Sequence, residues 1–158
     1  MKYPFFLLLL FLVSCSSIDC PVRNLVRSYY AVQGPGQKTD TLRDTLNIIS
    51  HRANGTDTLL LNSYINKTSF SLPVGYTNPE DTLFFCFSNT GFRVVDTVWI
   101  KKENIPHFES VDCSASFFHR ITAVRMTHYA IDSININNPL VDYDPQKVHF
   151  YLYLKSHN

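Results

Sequence analysis

The sequence predicts an all-β fold: a single antiparallel β-sandwich, immunoglobulin-like, with about seven to nine strands. A small β-barrel is the alternative. Polar and apolar residues alternate with a period of two over short runs, residues 69–72 and 149–154 among them. Such alternation is typical of strands with one buried face. Turn-forming pairs such as Asn54-Gly55 and Asp144-Pro145 separate the runs, as expected for hairpin connections.

The patterns predict, in chain order, strands over residues 45–48, 58–65, 69–72, 83–87, 94–100, 133–137 and 149–154. The runs at 83–87 and 94–100 are apolar on both faces, so these two strands are expected to lie in the centre of a sheet. Within residues 58–65, the alternation predicts a shared face for Leu59, Leu61, Ser63 and Ile65. Residues 115–124 have room for one short helical turn.

Composition limits the class of protein. The chain has 158 residues, of which 45% are hydrophobic and 17% charged, and its net charge is +1. A chain of this hydrophobicity and low net charge is not intrinsically disordered. It also lacks the basic footprint of a nucleic-acid-binding protein, so we expect no nucleic-acid partner. The length is typical of one domain, and we expect a single β-sandwich domain over residues 21–158.

The first residues have the features of an export signal. Lys2 precedes an apolar run over residues 5–13, which is too short to span a bilayer but suits a signal peptide. The run ends in Leu12-Val13-Ser14-Cys15, which resembles the bacterial lipobox. That resemblance implies that residues 1–14 are a lipoprotein signal peptide, that Cys15 is lipidated, and that residues 15–20 form a short tether. The alternative is an ordinary secretory signal with a chance cysteine.

A lipidated Cys15 makes the membrane the first expected partner, because several acyl chains anchor a protein stably. Ser16 follows the cysteine, and by resemblance to Gram-negative lipoproteins the lack of Asp there favours the outer membrane. We expect the domain to face the periplasm, with surface exposure left open.

The other three cysteines have two different contexts. Cys86 lies inside an apolar run, which predicts a buried free thiol. Cys20 and Cys113 lie in polar, turn-like segments, and an exported protein can form disulfides. We therefore predict a Cys20–Cys113 disulfide. No two cysteines have the close spacing of zinc ligands, so we expect no metal site.

An Asp-(Ser/Thr)-apolar triplet recurs six times, with its hydroxyls at Thr41, Thr45, Thr58, Thr82, Thr97 and Ser133. One interpretation is structural: Asp ends a turn, a β-branched residue begins a strand, and an apolar residue enters the core. The second is that the triplet resembles an O-glycosylation sequon of some Gram-negative gut and oral bacteria. Under that interpretation, at least one of these hydroxyls carries a sugar.

Motifs for catalysis were not found. The sequence has no G-x-S-x-G elbow, Gly-rich phosphate loop or H-E-x-x-H pattern, so we assign no catalytic residues and no cofactor. His107, His119 and His128 lie in adjoining segments, but single histidines are more often structural. Tyrosines at 29, 30, 151 and 153 indicate either an exposed stacking surface for sugar or peptide, or ordinary packing on sheet faces.

Several segments resemble a known group of proteins. They are Asp19-Cys20-Pro21, residues 104–113, Phe118-His119, residues 128–134 and residues 138–144. Together they are similar to small Bacteroidetes lipoproteins that are defined only by a domain of unknown function. The similarity covers nearly all of the mature chain. It implies a lipoprotein, Asp-Cys pairs at both ends of the disulfide, and a phylum in which the O-glycosylation occurs, but no activity and no site residues.

These observations predict a lipid-anchored envelope protein with a non-enzymatic binding or structural accessory role at the outer membrane. An envelope protein or glycan is the expected partner, docked on a sheet edge or on loops. The alternative is an enzyme that acts on envelope glycan or peptide, with a site built from distant loops.

Overall fold

The computed structural model describes residues 25–51, 55–113 and 115–155. These residues form ten strands and a short 3-10 turn at Pro35–Gln37. The strands are β1 (Arg27–Gln33), β2 (Thr45–His51), β3 (Asp57–Tyr64), β4 (Ser69–Pro73), β5 (Glu80–Ser88), β6 (Arg93–His107), β7 (Ser116–Met126), β8 (Ile131–Ile136), β9 (Leu140–Val141) and β10 (Phe150–Leu154). In this part of the chain, no helix has the length and apolar character needed to cross a membrane.

The strands form two sheets that pack against each other, which confirms the all-β sandwich. One sheet has the order β4-β1-β10-β8 and the other β3-β2-β5-β6-β7-β9. One of the two sheets curls into a half-barrel, so part of the fold resembles the alternative that the sequence left open. The pairings are antiparallel except that β1 runs parallel to β10. This strand order differs from the two sheets of an immunoglobulin domain.

The core lies between the inner faces of the two sheets. As predicted, the strands that are apolar on both faces, β5 and β6, occupy the middle of the six-stranded sheet. From the four-stranded sheet, the Tyr30 ring stacks on Phe70 and on Phe150, with centroids 4.7 Å apart in each case, and meets Phe85 of the opposite sheet edge-on. These four aromatic side chains are buried and join the two layers.

Strand β3 departs from the predicted alternation. Leu59 and Ile65 are exposed, whereas Leu60, Leu61 and Tyr64 pack against the core. The register between β2 and β3 shifts twice, and each extra residue turns the following side chains to the other face. Ser63 adopts φ 51° at one of these irregular positions. The shared face predicted for Leu59, Leu61, Ser63 and Ile65 was therefore wrong.

The segment expected to hold a helical turn is instead strand β7, which pairs with β6 along most of its length. The register shifts where Lys101 faces Ala123 and Lys102 faces Ile121, which leaves Thr122 as an extra residue on β7. Ile121 and His119 are buried on one side of this bulge, and Val124 packs against the core on the other. The bulge therefore preserves an inward face along a strand whose alternation changes phase.

Candidate functional site

A cavity of about 500 Å³ lies between the two sheets, beside the connection from β4 to β5. Its volume is within the range of about 300–1,000 Å³ that is typical of ligand sites. Its apolar lining comes from both layers and includes Leu72, Val74, Leu83, Ile100, Ile121 and Phe150. The exposed side chains of Leu25 and Tyr76 also line it, so the cavity reaches the protein surface.

The connection between β4 and β5 forms one wall because it is fixed to β6. The Lys102 backbone amide donates to the carbonyl of Pro79 at 2.8 Å. The side-chain nitrogen of Asn104 donates to the backbone carbonyl of Tyr76 at 2.7 Å. Pro73 ends β4, since proline cannot extend the ladder of hydrogen bonds. The chain then passes over the cavity and enters the six-stranded sheet at Glu80.

A buried ion pair stands in this wall. Lys102 Nζ lies 2.6 Å from Asp81 Oδ1, and the lysine side chain has no exposed surface. The same ammonium donates to the Asn78 carbonyl at 3.0 Å. Burial raises the pKa of the Asp81 carboxyl above its ordinary value, although the Lys102 ammonium and the Gly75 amide act to lower it. Asp81 lines the cavity, and the neighbouring Lys102 ammonium compensates its charge.

Tyr30 contributes a polar group without a partner. The residue lines the cavity and is 1% exposed, and its hydroxyl oxygen is buried without a hydrogen-bond partner among the described residues. Burial raises the pKa of this hydroxyl far above the ordinary value for tyrosine; the nearby Ser28 hydroxyl acts to lower it and the Asp81 carboxylate to raise it. The hydroxyl therefore stays protonated. Ser28, two residues earlier on the same face of β1, donates its hydroxyl to the Leu72 carbonyl at 3.4 Å.

His119, on β7, is buried near Lys102. Its Nδ1 is 2.8 Å from the Asn104 side-chain oxygen, and since an amide oxygen only accepts, the imidazole donates at that nitrogen. Burial lowers the pKa of His119 to about 4, and the Lys102 charge acts in the same direction. The imidazole is therefore neutral at pH 7 and holds Asn104 in place, which in turn holds the wall at Tyr76.

Of the residues that the sequence singled out, Cys15 and Cys20 lie outside the described residues. Cys113 is half-buried in the turn that follows β6, and its disulfide with Cys20 stays a prediction. Cys86 is a buried free thiol on β5, which confirms the expectation for that residue.

The triplet hydroxyls at Thr41, Thr45, Thr58, Thr82, Thr97 and Ser133 are all half-buried. In β2, β5 and β6 the apolar residue after each threonine is buried, which puts the hydroxyl on the outer face. Asp96 of one triplet is buried and accepts four hydrogen bonds, three from the loop between β7 and β8 and one from the first residue of β8. These contacts agree with the structural interpretation, and glycosylation stays a prediction.

The three histidines weighed as metal ligands have different partners. His107 stacks on Phe118 with centroids 4.2 Å apart, His119 bonds to Asn104, and His128 lies 2.9 Å from the Asp132 carbonyl. Within residues 25–51, 55–113 and 115–155, no group of three or more His, Cys, Asp or Glu side chains has an arrangement suited to a metal ion.

Sequence reasoning missed the cavity. Tyr30 was considered only as part of a stacking surface or a sheet face, and the structure places it in the core. Lys102 carries a signal that was not used: it continues the alternation in which Val98 and Ile100 face inward, so the sequence places a lysine where the strand faces the core. A charged residue in such a position requires a buried partner, and that partner is Asp81.

The fold and the cavity together define an all-β, two-sheet domain with an internal cavity that opens at one edge. The chain belongs to a family of unknown function, DUF6452, whose sequence model matches residues 45–154. This match covers β2 to β10, while β1, which supplies Ser28 and Tyr30, precedes it. Searches of curated proteins and of solved structures found no match.

Proposed function

We propose that the protein is a lipid-anchored protein of the outer membrane, facing the periplasm, which binds a small ligand in the cavity between its sheets without reacting with it. The observation that carries the binding role is the cavity itself, with the unpartnered Tyr30 hydroxyl in its wall. Buried polar groups are usually hydrogen-bonded, and an occupant of the cavity that reaches Tyr30 would supply the missing partner.

Binding is favoured over catalysis because Ser28, Lys102 and His51, at or beside the cavity, already have structural partners. The Ser28 hydroxyl donates to a backbone carbonyl, and the Lys102 ammonium contacts Asp81 and Asn78. His51, at the cavity lining, lies 2.8 Å from Asp57. None of these contacts therefore pairs Ser28 or Lys102 with a histidine that could activate it.

The anchor is supported by the sequence alone, through the apolar run and the Leu12-Val13-Ser14-Cys15 segment. Its test is metabolic labelling with a clickable fatty-acid analogue in the native host. We expect the wild-type protein and Cys86→Ala to be labelled, and Cys15→Ala to accumulate as an unlabelled precursor. Labelling of Cys15→Ala at the wild-type level would refute the anchor.

O-glycosylation is a separate part of the proposal. At least one hydroxyl among Thr41, Thr45, Thr58, Thr82, Thr97 and Ser133 is expected to carry a sugar in the native host. The intact mass of the mature protein, purified from that host, tests this directly. A mass that equals the lipidated polypeptide, with no hexose-sized increments, would show that the triplets have a structural role only.

The binding role is tested with protein purified from host membranes in mild detergent. Native mass spectrometry is expected to show a bound small molecule that organic solvent releases. In Ile121→Phe the larger side chain fills the cavity, and we expect the adduct to be lost. In Val95→Phe, a matched change at an exposed position of β6, the adduct should remain. Wild-type protein without any adduct, and unable to take up an added probe, would contradict the binding role.

A further inference from the structure

We propose that the ligand of this cavity is an uncharged, largely apolar molecule that bears a hydrogen-bond acceptor, such as the carbonyl oxygen of an ester, amide or ketone, and that Tyr30 donates its hydroxyl hydrogen to that oxygen. The inference rests on the proposed binding function and specifies the ligand class for the same cavity. Three properties of the cavity support it.

The first property is the fixed position of Tyr30. Its ring is held between Phe70 and Phe150, each with a centroid 4.7 Å away, and β1 is hydrogen-bonded on both sides, to β4 and β10. The packing of the ring thus keeps the hydroxyl at one position in the cavity wall. Burying a hydroxyl without a hydrogen bond is unfavourable, and a ligand that supplies an acceptor removes this cost. A preorganised donor of this kind also favours binding, because little order is lost.

The second property is the charge balance of the lining. Asp81, the one carboxylate among the described lining residues, is compensated by Lys102 at 2.6 Å. A charged ligand would lose its hydration on entering the cavity without gaining an unpaired counter-ion there. The balance therefore selects an uncharged ligand.

The third property is the apolar area of the lining. Leu72, Val74, Leu83 and Ile100 are buried side chains that face the cavity. They offer dispersion contacts and release of water to an apolar body. The lining also holds polar side chains, Ser50, Thr77 and Asn78 among them, so we place the apolar body of the ligand against the four apolar residues and its acceptor against Tyr30.

The test uses three fluorescent probes with the folded, mature domain. Prodan is uncharged and carries a ketone, N-phenyl-naphthylamine is uncharged without a carbonyl, and anilinonaphthalene sulfonate is anionic. Wild-type protein is expected to bind prodan most tightly and the sulfonate most weakly. Tyr30→Phe removes only the donor and should weaken prodan binding about tenfold, the effect of one buried hydrogen bond. Binding of N-phenyl-naphthylamine should change less than twofold.

Two controls separate this inference from the binding function. Tyr29→Phe removes a hydroxyl from the neighbouring, half-buried residue, which stacks on His149, and should leave all three affinities unchanged. Leu60→Trp narrows the cavity from a half-buried position and should weaken both uncharged probes, with urea unfolding as the check that the variant is folded.

If Leu60→Trp blocks the probes while Tyr30→Phe leaves prodan affinity unchanged, the proposed ligand class is wrong and the binding role stands. Tighter binding of the sulfonate than of prodan would likewise overturn the uncharged class. If neither uncharged probe binds wild-type protein, or if Leu60→Trp has no effect on them, the binding role itself fails.

Discussion

Lys102 Nζ lies 2.6 Å from Asp81 Oδ1, and the whole lysine side chain is shielded from solvent. The two residues belong to neighbouring antiparallel strands, β5 and β6, and their pairing fixes the connection over the cavity through the Asn78 carbonyl. A buried pair of this type contributes little net stability by comparison with apolar residues, but loss of one partner leaves the other charge unpaired.

Lys102→Met is therefore expected to destabilise the protein by about 3 kcal/mol, at the low end for a buried pair because Asp81 retains some contact with water. The measurement is the free energy of unfolding in urea at pH 7. Lys101→Met, at the exposed neighbouring position, is the control and should change stability by about 0.5 kcal/mol or less. Adding Asp81→Leu to Lys102→Met should restore part of the loss, and equal effects of the two single lysine variants would refute this role of the pair.

Tyr30→Phe is expected to act in the opposite direction on the empty protein. The hydroxyl is buried without a described partner, so its removal relieves an unfavourable desolvation, and stability should rise by about 1 kcal/mol. Urea unfolding of ligand-free protein, with Tyr29→Phe as the control, measures this. A clear loss of stability would show that the hydroxyl has a hydrogen-bond partner in solution.

Acidification is expected to destabilise the fold through His119. Its pKa is lowered to about 4 by burial and by Lys102, from an ordinary value of 6.5. Between these values the unfolded chain binds a proton that the folded protein does not, so the free energy of unfolding falls as pH decreases from about 6.5 to about 4. The full contribution is present above about 6.5. His149, whose pKa is also lowered by burial, adds to the same trend.

The size of this effect is tested by urea unfolding at pH 7 and pH 5. For His119 the loss between the two pH values should be about 2 kcal/mol. In His119→Asn, whose amide can keep the hydrogen bond to Asn104, the pH dependence should shrink by that amount. His128→Asn, at an exposed position, should keep the wild-type dependence. An unchanged pH dependence in His119→Asn would contradict a lowered pKa at this residue.

The sequence predicts those features of the structure that depend on neighbouring residues, and it does not predict those that depend on residues far apart in the chain. Period-two alternation predicted β4 and β10 because their faces stay constant along the strand, and it failed in β3, where register shifts interrupt the pattern. The cavity depends on Tyr30, Asp81 and Lys102, which come from three strands. No local sequence pattern shows how the two sheets pack, so the sequence did not predict that these three residues meet. The position of Lys102 in the alternation of β6 does indicate a buried charge.

The loop between β7 and β8 gives another prediction, because it is organised by the Asp96 carboxylate. This group accepts hydrogen bonds from the Thr127 hydroxyl and from the amides of Tyr129, Ala130 and Ile131, at 2.7–2.8 Å. Burial acts to raise the pKa of Asp96, and these hydrogen bonds outweigh it and lower the pKa. Asp96→Ala leaves buried amides without an acceptor and should cost about 3 kcal/mol.

Asp132 provides a matched control for that change, since it occupies the same place in another triplet but is exposed. Asp132→Ala should alter the free energy of unfolding by about 0.5 kcal/mol or less. Hydrogen exchange of the Ala130 and Ile131 amides offers a local measurement: Asp96→Ala should speed it, and Asp132→Ala should not. Similar stability of the two variants would show that Asp96 does not organise the loop.

The Cys20–Cys113 disulfide is the last prediction, and Cys86 supplies its internal control. Cys86 is a buried free thiol, so it should not compete for pairing when the protein folds in an oxidising compartment. A non-reducing peptide map of the mature protein is expected to contain one linked peptide pair, with Cys20 joined to Cys113, and an unlinked peptide with Cys86. In the chain-entropy account, a loop of this length stabilises by at most about 4–5 kcal/mol, so Cys20→Ala should lower stability in urea by up to that amount. Cys86→Ala should leave the linked pair unchanged, and any peptide that joins Cys86 to another cysteine would overturn the assignment.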